Sequence, residues 1–76
     1  MKINNNLKQY RKSAGLKQLQ IAGKARISVR NYQRIESGKQ EPKVLVAILI
    51  AQALHTTVEV LFPLPVSANT GEDNKN

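Results

Sequence analysis

From Val44 to Leu54 the chain reads VLVAILIAQAL, ten apolar side chains broken only by Gln52. A segment that is apolar nearly all round has no broad face to give to water, so the remaining residues must be arranged to cover most of it. Its β-branched residues Val44, Val46, Ile48 and Ile50 leave a buried strand as a competitor. Eleven residues opened by Pro42 favour a helix instead. The unbroken apolar run, Val44 to Ala51, is eight residues and far short of the roughly 20 that a membrane-crossing helix needs.

The rest of the chain is cut into short helical pieces. Ile3, Leu7, Tyr10 and Ala14 recur at helical spacing, the Asn4-Asn5-Asn6 run offers N-caps, and Gly15 is a stop, which predicts a first helix over 5–14. A second spans 18–25, with Leu19, Ile21, Ala22 and Ala25 apolar. Lys17 stands where a Ser, Thr or Asp cap is expected, and Gly23 in the interior costs about 1 kcal/mol against alanine. Ser28 caps a third helix over 29–36, whose inward stripe is Val29, Tyr32 and Ile35, and Ser37-Gly38 ends it. Pro42 suits the first position of a fourth helix over 43–54. Thr56 with Glu59 resembles a capping box for a short fifth helix ending near Leu61-Phe62, with Pro63 and Pro65 as stops. The polar stretch from Ser67 to Asn76 reads as disordered. The expectation is all-α: a compact five-helix domain over 1–63 with a flexible tail over 64–76.

Size and composition narrow the function. A chain of 76 residues buries only about 60–65% of the surface its unfolded form exposes, so a single small core, or one shared with a partner, is all it can build. With no cysteine and a lone His55, neither disulfides nor a metal set is expected. The carboxylates at 36 and 41, and at 72 and 73, have no nearby histidine or nucleophile, so neither catalysis nor a cofactor is expected. Met1 to Asn6 has no apolar core of signal-peptide length, which makes the cytoplasm the expected compartment.

The net charge is +7, but its placement says more. Lys8 to Lys43 holds ten Lys/Arg against Glu36 and Glu41, whereas Val44 to Phe62 holds one charge, Glu59. A basic half implies a polyanion partner, either nucleic acid or an anionic membrane surface; the plain alternative is a soluble cationic protein. A membrane surface fits poorly, because the apolar and basic segments lie on different helices and not on opposite faces of one. The third helix sharpens the question. It sets Arg30 and Arg34 one turn apart, where like charges repel by a few tenths of a kcal/mol on an isolated helix, roughly.

The stretch GLKQLQIAGKARISVRNYQRIESGKQEP, with Gly15-Leu16-Lys17-Gln18, Ile21-Ala22, Ser28, Tyr32 and Ile35-Glu36-Ser37-Gly38, resembles the helix-turn-helix of the phage repressor and Cro family, often called XRE-type. ILIAQALHTTVEVLF continues that family's last two helices, so the resemblance covers residues 4–62. It implies a repressor-like domain that lays its third helix in the major groove of double-stranded DNA. Val29, Arg30, Asn31, Gln33 and Arg34 are then the base-readout candidates: the arginines suit guanine, Gln33 or Asn31 suits adenine, and Val29 a thymine methyl. Lys17, Gln18, Ser28, Gly38, Lys39 and Lys43 are the phosphate candidates. A solvated polar face is the bland reading of the same residues, and Lys8, Lys12 and Lys24 are as well read as ordinary surface lysines. Arg11 and Glu36 match a family ion pair and are assigned to structure. Tyr10, Tyr32 and Phe62 are assigned to the core.

The sequence departs from the family pattern in several places. Lys17 replaces the helix 2 cap. Arg26 stands where the turn usually has glycine, which implies a positive φ at a cost of about 1 kcal/mol. Ala25 replaces a larger apolar residue, with Ile27 or Tyr32 to fill the space. Leu45 and Leu49 replace residues that are commonly charged, and His55 and Val60 replace a glycine and a polar residue. Leu45, Leu49, His55 and Val60 are therefore expected to form an apolar surface for a homodimer, unless Leu64-Pro65-Val66 folds back over it. The expected function is a dimeric regulator, most simply a repressor. An antitoxin that also binds a toxin and a restriction-modification controller share the fold. A protein-interaction module with a basic docking face is the rival outside DNA binding.

Overall fold

The computed structural model describes residues 4–63, so Ile3, the fold-back of Leu64-Pro65-Val66 and the expected tail over 64–76 lie outside the described residues. Five helices follow one another: α1 (Leu7–Ser13), α2 (Gln18–Ala25), α3 (Val29–Glu36), α4 (Val44–Ala53) and α5 (Val58–Leu61). The apolar segment is a helix, and among the described residues there is no strand. Leu7, Ile21, Tyr32, Ile35, Ile50 and Leu61 are buried completely or nearly so, and they join residues from every helix into one core. Ala25 is buried with them, and Ile27 packs half-buried against the same core. Tyr10 and Phe62 are half-buried against the same core.

α4 packs along α2 and buries Ala47, Ile50 and Ala51. It is not covered all round, however: Val44 is 77% exposed, Leu45 67% and Ile48 40%. The physical reason is size, since helices this short cannot enclose a rod of ten residues.

The first four helices end in the same way. The residue after each terminal turn adopts a positive φ: Gly15 (71°), Arg26 (62°), Gly38 (80°) and His55 (56°). In each case its N–H and the next one close back on the last turn. Thus Leu16 N–H bonds the Arg11 carbonyl, Ile27 that of Ala22, Lys39 that of Arg34, and Thr56 that of Ala51, at 2.9–3.1 Å. These paired bonds form a Schellman motif, in which a left-handed residue satisfies carbonyls that would otherwise lack donors. His55, expected on a partner surface, has a backbone role here.

The helix starts differ in detail from expectation. Asn6 precedes α1, but its side chain donates to the Val60 carbonyl at 2.8 Å, and it is Asn5 Oδ1 that accepts the Leu7 N–H. Lys17 makes no side-chain cap, and Gln20 Oε1 compensates by accepting the Lys17 N–H at 2.8 Å. Ser28 Oγ accepts the Asn31 N–H at 3.0 Å. α4 starts one residue late, with extended Lys43 as its cap and Pro42 just outside it. α5 is capped by Thr57, not Thr56, because the Thr56 N–H is still spent on the end of α4.

Candidate nucleic-acid interface

The site is organised around the inner end of α3. Glu36 accepts four side-chain hydrogen bonds: Arg11 Nε (2.8 Å) and Tyr32 Oη–H (2.8 Å) reach Oε2, while Arg11 Nη2 (3.1 Å) and Gln18 Nε2 (3.0 Å) reach Oε1. The paired side chains of Arg11 and Glu36 are only 13% and 7% exposed. Burial alone would push the Glu36 carboxyl up. The bonds from Arg11, Tyr32 and Gln18 outweigh that and hold it below its ordinary value. The same bond from Glu36 raises Arg11 against its own desolvation. Burial, and then the neighbouring carboxylate, push the Tyr32 phenol far above its usual range. Arg11 also donates Nη1 to the Leu16 carbonyl at 3.1 Å, tying α1 to the turn before α2. Asn5 donates Nδ2 to the Ile35 and Glu36 carbonyls, closing the end of α3 from the other side.

With Tyr32 and Ile35 buried, the outer face of α3 is fixed by helix geometry. Arg30, Gln33 and Arg34 are exposed and Asn31 is half-buried. Val29 packs against the core and leaves only part of its surface open. These side chains are not all free. Gln33 Nε2 donates to Gln18 Oε1 (3.2 Å), Arg34 Nε donates to Gln40 Oε1 (3.2 Å), and Gln40 Nε2 donates to Asn31 Oδ1 (2.8 Å). Arg30 makes no side-chain bond among the described residues.

The phosphate candidates stand at the helix starts and in the loop after α3. Lys17 and Lys43 are the exposed cap residues of α2 and α4, Ser28 caps α3, and Lys39 is exposed after the buried Gly38. Gln18, the expected phosphate ligand at the start of α2, has both ends of its amide engaged, by Glu36 and Gln33. Of the expected partner surface, Leu45 and Val60 are exposed, whereas Leu49 is half-buried against the core; Val44 and Ile48 are open where no such role was assigned to them. Sequence reasoning also missed Gln40. It sits in a loop six residues beyond Arg34, and no helical or strand period links the two.

The sequence matches a helix-turn-helix family model over residues 7–61. No curated protein matches it.

Proposed function

Since the chain belongs to the XRE-type helix-turn-helix family of DNA-binding regulators, we propose that it is a sequence-specific repressor acting as a homodimer on a near-palindromic operator. The observation that carries this reading is the outer face of α3, where Arg30, Gln33 and Arg34 stand in solvent on a helix locked from behind by Tyr32, Ile35 and Glu36. Close cations are tolerable there if guanine edges and phosphates are their partners, which accounts for the repulsion between Arg30 and Arg34. Lys17, Ser28, Lys39 and Lys43, with the backbone around Gly38, supply the phosphate contacts, while Gln18 orients Gln33. A duplex-DNA partner places its work in the cytoplasm. Separately, no described helix is long and apolar enough to cross a membrane.

Selecting bound DNA from a random pool tests the reading directly. The expected product is a near-palindrome whose half-sites lie roughly 34 Å apart, with affinity falling steeply as salt rises. Binding that depends on salt but enriches no sequence would leave only a nonspecific cationic module.

The dimer is supported by the open apolar strip of Val44, Leu45 and Ile48. Sedimentation equilibrium that finds only monomer at high concentration would remove it. The same strip would then fit a toxin, as in an antitoxin of this fold, and a toxin or endonuclease encoded in the neighbouring gene separates antitoxin from controller protein.

A further inference from the structure

Two short chains of side-chain amides cross the outer side of α3, and each is anchored by a group of fixed polarity. Glu36 as a carboxylate can only accept, so Gln18 turns Nε2 to it and shows Oε1 to Gln33, which must donate. Arg34 can only donate. Its Nε bond therefore fixes Gln40 with Oε1 toward the guanidinium and Nε2 toward Asn31, and Asn31 must meet it with Oδ1. Gln40 is half-buried along a cleft with Asn31, Ile35, Pro42 and Val46, and its two bonds set its amide between α3 and the start of α4.

We infer that Gln40 is a specificity-determining positioning residue, which contacts no base but sets what Arg34 and Asn31 offer to one; this rests on the proposed readout of DNA by α3. With Nε committed, Arg34 keeps its two terminal nitrogens, an end-on pair of donors that matches guanine O6 and N7. Asn31, with one lone pair of Oδ1 taken and its amide held in that orientation, keeps both Nδ2 donors and a single remaining acceptor site. A bidentate adenine contact needs a donor and an acceptor together, so the bond from Gln40 weakens Asn31 as an adenine reader and favours its Nδ2 donors toward guanine acceptors or thymine O4. The adenine reader on this face is then Gln33, whose Oε1 is unengaged.

The experiment selects DNA from a random pool with the full-length wild type, Arg34→Ala, Asn31→Ala, Gln40→Ala and Gln40→Glu, with melting temperature and salt dependence measured alongside. Arg34→Ala and Asn31→Ala locate the base positions each residue reads. Gln40→Ala is expected to lose about tenfold discrimination at those same positions, roughly the scale of one base contact, while stability and the salt slope stay at wild-type values. Gln40→Glu keeps the acceptor for Arg34 but cannot donate to Asn31, so the guanine preference at the Arg34 position persists while the Asn31 position shifts toward adenine. A Gln40→Ala profile identical to wild type overturns the inference. So does a uniform loss of affinity on all sequences with the base preferences unchanged, which would mark a contact to the DNA backbone. If Arg34→Ala and Asn31→Ala change no preference, the readout by these residues fails and the inference with it. If they change preference and Gln40→Ala does not, the inference alone falls.

Discussion

The two sides of α3 meet their cations under opposite conditions. On the inner side Arg11 is nearly buried and donates two bonds to Glu36, whose remaining capacity is taken by Tyr32 and Gln18. On the outer side Arg30 and Arg34 are exposed, and among the described residues neither forms an ion pair. A charge removed from water is stabilising only when it is fully partnered, and breaking such a pair singly leaves an orphan. A charge left in water contributes little to folding and stays available to a ligand. One eight-residue helix thus separates stability from recognition by face, and substitutions on the two faces should fail in different assays.

The largest effect belongs to the inner side. Arg11→Ala should lower the unfolding free energy by about 3 kcal/mol, read as a shift of the urea midpoint with an unchanged m-value, while the folded fraction keeps its preferred DNA sequence. An acid limb follows from the same pair. Glu36 is depressed in the folded state, so its contribution is complete above its ordinary value of 4.5 and is lost as pH falls through the folded value. Urea midpoints measured from pH 7 downward should fall below that point in the wild type. Glu36→Gln, less stable at neutrality, should lack that fall; parallel curves would mean that some other carboxyl governs acid unfolding.

Next in size are changes on the outer side. Arg30→Ala or Arg34→Ala should cost about 1–3 kcal/mol of binding to the selected operator and relax specificity at one position. Unfolding free energy should move by less than about 0.5 kcal/mol. A substitution here that destabilised the fold as much as Arg11→Ala would erase the distinction between the faces. If neither arginine variant alters the preferred sequence, the assignment of readout to α3 is wrong.

How much of this could be read from the chain depends on whether the contact is local. The bounds of α2 and α3 are visible, because Ser28, the apolar period and the Gly38 stop all act within a few residues. The ends of α1 and α5 are less so. The chemistry of Asn6 is diverted to Val60, 54 residues away, and Thr56 is tied back to α4. The outer face of α3 follows from period and charge, but its wiring does not, since Gln40 reaches Asn31 and Arg34 only because the loop after Gly38 folds back. Family resemblance marked Arg11 and Glu36 as a pair; nothing in the spacing announced that Tyr32 and Gln18 would complete the same carboxylate.

The helix ends extend the comparison to smaller energies. Gly15 and Gly38 sit at positive φ without steric cost, whereas Arg26 and His55 adopt the same region with a Cβ. Arg26 is exposed and makes no side-chain bond among the described residues, so Arg26→Gly removes strain and adds only the freedom that glycine gives the unfolded chain. The strain outweighs that term, so stability should rise by about 0.5–1 kcal/mol, seen as a higher melting temperature. If stability falls instead, the arginine side chain contributes to the fold by a route other than the backbone.

An effect no larger is expected from the residue three positions earlier. Gly23 lies inside α2, needs no unusual backbone angle, and a Cβ placed there meets nothing within 4 Å. Gly23→Ala should therefore stabilise by about 0.5–1 kcal/mol, since the unfolded chain loses freedom that the helix never uses. The chain holds glycine where side-chain freedom is unused and arginine where glycine would fit, so the pair Gly23→Ala with Arg26→Gly exchanges the two. The Arg26 N–H bonds the Gly23 carbonyl at 3.2 Å, which makes the sites neighbours and additivity a real question. If the double variant gains the sum of the single gains, both act only through backbone freedom. A shortfall beyond about 0.5 kcal/mol means that alanine at 23 tightens the helix against the left-handed turn.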